Sequence, residues 1–168
     1  MQKFLLVDDH VVVRSGIKPL LSQQYPALEI YEAFDGASAV EQLKARDYEL
    51  IILDNQMPGT DTIKLMEFIH LKYPLARVLI FSMSAEGIYA KRFLKAGAKG
   101  FVPKEAPLEE IIKAINQVLL NKRYIFNGIS STKNIQVSTV GTHKARMFKK
   151  LGVSNLLELK ELYNSDHK

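Results

Sequence analysis

The chain has 168 residues, 47% of them hydrophobic, enough for one full domain with a real core and a small second one. It contains no cysteine, which excludes disulfides, a thiol nucleophile and any Cys-based zinc site. The net charge of +5 is uneven: residues 1–120 carry 14 Lys+Arg against 15 Asp+Glu, and residues 121–168 carry 9 against 3.

A near-neutral domain followed by a basic tail points to a nucleic-acid-facing appendage, with a plain solvated basic surface as the ordinary alternative. No stretch approaches the ~20 apolar residues of a membrane helix. Met1-Gln2-Lys3 leads into an apolar run too short for a secretory signal core. These features predict a soluble, cytoplasmic chain with no membrane partner.

Apolar runs alternate with segments of helical period. Residues 3–7 read as a strand. Residues 10–24 read as a helix with Val12, Val13, Ile17, Leu20 and Leu21 inward and a kink at Pro19, which removes one internal hydrogen bond. A weaker strand over 28–33 precedes a helix over 36–46 that buries Ala39, Val40 and Leu43. Residues 49–53 are continuously apolar, as in a strand covered on both faces.

After the MPGTD loop come a helix over 61–72, a strand over 77–81 and a helix over 86–96 that stops at Gly97, a C-cap residue. A fifth strand over 99–102 and an amphipathic helix over 107–120, with Leu108, Ile111, Ile112, Ile115, Val118 and Leu119 inward, complete the pattern. Five strands alternating with five helices predict a doubly wound α/β domain with right-handed crossovers. Ligands of such a sheet bind outside the carboxyl ends of its strands, at the switch point of strand order.

Four strand ends deliver polar groups to that edge: Asp8-Asp9, Asp54, Ser82 and Lys104. Each has an ordinary reading alone, as a helix cap, a strand-end hydroxyl or a solvated lysine. Together they place three carboxylates, a hydroxyl and an ammonium in one crevice. Carboxylates that repel one another call for a cation, and Mg²⁺, held by a few carboxylates and shared with a phosphoryl oxygen, fits.

This order and spacing, over residues 1–120, resembles the receiver domain of two-component response regulators. The resemblance implies a flavodoxin-like five-stranded sheet of order 2-1-3-4-5. It makes Asp54 the phosphoacceptor for a sensor histidine kinase, with Mg²⁺ on Asp9, Asp54 and the backbone carbonyl of Gln56, and Asp8 joining through water or as a second ligand. Lys104 pairs with the phosphoryl oxygens, Ser82 is the switch hydroxyl, and Phe101 is the aromatic that follows it inward. Two details depart from the family pattern: Thr62 stands where a glycine is common, and Pro103 precedes Lys104 instead of a proline following it. A Mg²⁺-dependent aspartyl-phosphate hydrolase is the rival reading. It needs a second acid two residues after the nucleophile, and Gln56, which cannot act as an acid, stands there. The chain therefore reads as a signalling protein and not as a conventional enzyme.

In the tail, QVSTVGTHKARMFKKL (136–151) puts Val137, Val140, Met147, Phe148 and Leu151 on an apolar stripe among cations. With LGVSN following, it resembles the recognition-helix end of the LuxR-type helix-turn-helix of NarL/FixJ regulators. That implies a linker over 121–134 and an output domain over 135–168, with Ser138, Thr142, Lys144, Arg146 and Lys149 against DNA. It also implies dimerisation on phosphorylation. The family normally places about two helices before the recognition helix, and YIFNGISSTKNIQVS crosses that interval in a few residues. Helices over 137–151 and 154–163 alone offer too little apolar surface for a stable domain. A deletion, residues omitted between the two parts, and a degenerate output domain are the open explanations. The abrupt join at Ser130-Ser131-Thr132 favours the first two. A receiver working by protein–protein interaction alone is the second functional reading.

Overall fold

The computed structural model describes residues 2–83 and 87–126. Their elements, in chain order, are β1 (Gln2–Val7), α1 (Val11–Gln24), β2 (Leu28–Ala33), α2 (Gly36–Ala45), β3 (Leu50–Asp54), α3 (Thr62–Lys72), β4 (Arg77–Ser82), α4 (Gly87–Lys95), β5 (Gly100–Pro103), α5 (Leu108–Leu119) and β6 (Tyr124–Ile125). The strands form one sheet of order β2-β1-β3-β4-β5-β6, with every neighbouring pair parallel. The order reverses between β1 and β3, so the crevice of this fold opens at the ends of those two strands.

Successive strand residues point to opposite faces, which divides the core in two. Leu5, Val7, Ile51, Leu53, Val78, Ile80 and Phe101 pack with α2, α3 and α4. Phe4, Leu6, Leu50, Ile52, Leu79, Phe81 and Val102 pack with α1 and α5. Burying each of these larger side chains contributes roughly 1.5–3 kcal/mol, which the alternation directs to both faces at once. The continuous apolar character of β3 follows from this double cover.

Local signals set the helix ends. Asp35 caps α2 by accepting from the backbone N–H of Ser38, whose hydroxyl in turn accepts from the N–H of Asp35, a reciprocal capping box. Asp61 caps α3 through the Lys64 N–H. At the end of α4, the Ala98 N–H bonds the Phe93 carbonyl and the Gly97 N–H bonds Leu94. Gly97, at φ +111°, takes the left-handed turn this motif requires.

The expected five-strand order is present, and β6 adds a sixth strand within the segment read as a linker. Asn121, at φ +59°, turns the chain after α5. The Tyr124 and Phe126 N–H groups then bond the carbonyls of Lys99 and Phe101. The Tyr124 hydroxyl bonds Glu110, and burial together with that carboxylate pushes its pKa up to about 12. Two residues are too few to display a strand period, which is why periodicity passes over them.

Other differences concern helix faces. Val12 and Leu108, both read as inward, are exposed; each lies in the first turn of its helix. Pro19 is accommodated within α1, which continues to Gln24. The expected helix over 137–151 and the candidate DNA contacts Ser138, Thr142, Lys144, Arg146 and Lys149 lie outside the described residues.

Candidate functional site

At the switch point, Asp54 is the last residue of β3 and Asp8 follows β1 directly; both are buried. Lys104 follows β5, where its backbone N–H bonds the Ser82 carbonyl at 2.7 Å and so ties the ends of β4 and β5 together. Its ammonium lies 2.8 Å from Oδ2 of Asp54 and 2.6 Å from Oδ2 of Asp8. The first contact is an aligned hydrogen bond; the second is a close ion pair without that alignment. Pro103 closes β5 in register with Ser82, so the departure noted in the sequence leaves the lysine on the crevice.

The other Asp54 oxygen, Oδ1, accepts the Gln56 backbone N–H at 3.2 Å. Burial raises the pKa of Asp54 above the ordinary carboxylate value, while the bond and charge of Lys104 and the Gln56 N–H oppose that rise. Desolvation is thus the larger effect even with an ammonium in contact.

Asp9 and His10 complete a cluster. The ligand atoms of Asp8, Asp9, His10 and Asp54 all lie within 4.8 Å of one another. Oδ2 of Asp8 and Oδ1 of Asp9 are shielded from solvent and make no aligned hydrogen bond among the described residues. Hard carboxylate oxygens, close together and incompletely satisfied, are the donor set a small divalent cation takes. The residues present therefore fit Mg²⁺.

Ser82 is fully buried at the end of β4. Phe101 points inward within β5, its ring 6.5 Å from that of Phe93 on α4. In the loop after β3, Gly59 takes φ +71°, and the Thr60 hydroxyl accepts the Gly36 N–H at 3.0 Å, fastening the loop to the start of α2. Thr62, where a glycine is common, sits buried in the first turn of α3. The exposed side chain of Gln56 lines a cleft of about 570 Å³ with Asp9, His10, Asn55, Thr60 and Arg92.

Three residues of this neighbourhood went unread in the sequence. Arg14 donates through Nη1 to the Asp8 carbonyl at 2.5 Å. Asn55 is buried, and among the described residues neither end of its amide has a hydrogen-bond partner. His10 was legible in principle, as an imidazole directly following two aspartates at a helix start.

Residues 4–116 match the family model of the response regulator receiver domain. The chain belongs to that family. It is 29% identical to the Fimbriae Z protein of Salmonella typhimurium over 194 aligned positions, covering 92% of each chain. It is 33% identical to the nitrate/nitrite response regulator protein NarL of Escherichia coli over 113 positions, 67% of this chain and 52% of that one. Among solved structures it resembles a two-component response regulator of the LuxR family from Aurantimonas, with a TM-score of 0.71 at 30% identity over 76% of this chain and 91% of that one.

The alignment lengths carry further information. Since 92% of 168 residues is about 155, about 40 of the 194 positions shared with the Fimbriae Z protein hold no residue of this chain. The NarL alignment spans 113 positions for 67% of the chain, which leaves no such room.

Proposed function

We propose that this chain is a cytoplasmic response regulator in which Asp54 accepts a phosphoryl group from a sensor histidine kinase and the phosphorylated receiver regulates transcription. The observation that carries the reading is the buried Asp54 carboxylate at the switch point, with Asp8, Asp9 and Lys104 converging on it.

A carboxylate oxygen of Asp54 attacks the phosphorus of a phosphohistidine. The new O–P bond forms as the P–N bond breaks, and the kinase imidazole leaves with the nitrogen electron pair, which a proton then satisfies. Asp8, Asp9, Asp54 and the Gln56 backbone carbonyl would hold Mg²⁺, whose charge stabilises the transferring phosphoryl oxygens. Lys104, already on Oδ2 of Asp54, supplies a second fixed positive charge. Ser82 moves towards the new phosphoryl group and Phe101 repacks with it, shifting a two-state receiver towards dimerisation. Residues 1–120 act as this switch, 121–134 as linker and 135–168 as output, with Ser138, Thr142, Lys144, Arg146 and Lys149 on DNA.

One observation favours a second reading, a receiver that acts only through protein partners: about 40 positions of the Fimbriae Z alignment have no residue here. DNA binding separates the two. A salt-dependent mobility shift by the phosphorylated chain, lost in Lys144→Ala with Arg146→Ala, supports the regulator. Phosphoryl uptake without any DNA binding would leave the receiver-only switch. Failure of a phosphorylated histidine kinase to pass its label to the chain, with small phosphodonors failing as well, would overturn both.

A further inference from the structure

We propose that His10 is an additional ligand of the carboxylate site, and that its imidazole gives the site a preference for Mn²⁺ and related transition cations over Mg²⁺. The inference rests on the metal site described under Proposed function and adds a donor and a selectivity to it.

His10 occupies the N-cap position of α1, yet its side chain makes no capping bond. Its backbone N–H donates to Oδ1 of Asp8 at 2.9 Å, which holds the residue against the carboxylates. The side chain is more than half exposed, but its Nδ1 edge faces the carboxylates. Nδ1 lies 2.9 Å from Oδ1 of Asp9, 3.2 Å from Oδ1 of Asp8 and 3.9 Å from Oδ2 of Asp54. One nitrogen thus lies within 4 Å of three separate carboxylates, the Asp8 contact being a hydrogen bond.

The spacing suits a shared ion. Donors held at about 2.1–2.2 Å from an octahedral cation lie about 3 Å apart when adjacent and about 4.3 Å apart when opposite. The Asp9 and Asp8 separations match adjacent positions, and the Asp54 separation falls between the two. Lys104 contacts Oδ2 of both Asp8 and Asp54, which leaves Oδ1 of Asp8 and Oδ1 of Asp9 facing the nitrogen. The exposed flank of the imidazole lets the ring adjust without disturbing the core.

Chemistry then sets the preference. Mg²⁺ takes oxygen donors and keeps its waters, so a nitrogen adds little to its binding. Mn²⁺, Co²⁺ and Ni²⁺ bind imidazole progressively better, so each gains from His10 what Mg²⁺ does not. The competing role for His10 is that of an imidazolium counter-ion to the aspartates, which would weaken every divalent cation alike.

The test uses the full chain with MnCl₂ or MgCl₂ alone. Calorimetric titration of the wild type, His10→Ala and His10→Phe should show Mn²⁺ affinity falling about tenfold or more in both variants, with Mg²⁺ affinity changed by less than about twofold. Pulsed electron paramagnetic resonance of the Mn²⁺-loaded wild type should show ¹⁴N modulation from a coordinated imidazole, absent in His10→Ala. No nitrogen modulation in the wild type, or an equal change for both cations, would overturn the His10 proposal while leaving the carboxylate site intact. No binding of either cation by the wild type would overturn both.

Discussion

Lys104 places its ammonium 2.8 Å from Oδ2 of Asp54, across fifty residues of sequence, with both side chains almost wholly buried. Burial leaves little solvent access for either group to trade its partner for water. Lys104→Met should therefore leave two buried carboxylates, Asp54 and Asp8, without their cation and cost about 3 kcal/mol of folding stability in the absence of divalent metal. Urea denaturation checks the figure. A loss below about 1 kcal/mol would mean that water reaches the pair.

Asp54 carries a pH dependence whose sign is fixed by burial. Its folded pKa lies above the ordinary carboxylate value, so the folded state favours the neutral carboxyl. Stability from that preference is present below the ordinary value and is lost as pH rises through the raised one. Asp54→Asn removes the loss. The variant should unfold at a higher temperature than wild type at pH 7, and the gap should close as pH falls below the ordinary carboxylate range. A constant gap across that window would assign the effect to packing instead.

Divalent metal should stabilise the fold, because a cation bound by Asp8, Asp9 and Asp54 binds only when their strands are assembled. At tenfold excess over its dissociation constant, Mg²⁺ should add about 1.4 kcal/mol. The gain should disappear with chelator and in Asp9→Ala. Thermal melts with and without Mg²⁺ read it directly, and a stabilisation surviving Asp9→Ala would place the ion elsewhere.

Gly97 ends α4 at φ +111°, and a Cβ there would come within 2.4 Å of the His70 ring on α3. Gly97→Ala should thus cost about 2 kcal/mol or more, from backbone strain and collision together. Pairing it with His70→Ala should recover the collision but not the strain. Full recovery in the double variant would remove backbone conformation from the account.

The sheet was legible because its strands are covered on both faces: LIIL and VLIF could hardly be anything else once flanked by helical periods. The polar residues of the crevice were legible for a related reason, since a strand that ends in Asp54 or Ser82 delivers its last side chain to one known edge. Distances were not. Nothing in the spacing of Asp8, Asp54 and Lys104 says that one ammonium touches both carboxylates, because that depends on how far Lys104 reaches once Pro103 pairs with Ser82. His10 escaped notice since an N-cap histidine reads first as a surface residue. Strand β6 escaped because Tyr124 and Ile125 follow a turn at Asn121 that only its left-handed φ reveals.

The central claim is that Asp54 is the phosphoacceptor. Incubating the intact 19.0 kDa chain with Mg²⁺ and a small acyl phosphate, followed by mass measurement, tests it most directly. The wild type should gain the mass of one phosphoryl group, and Asp54→Ala should gain none under the same conditions. Uptake of a phosphoryl group by Asp54→Ala at the wild-type level would contradict the assignment.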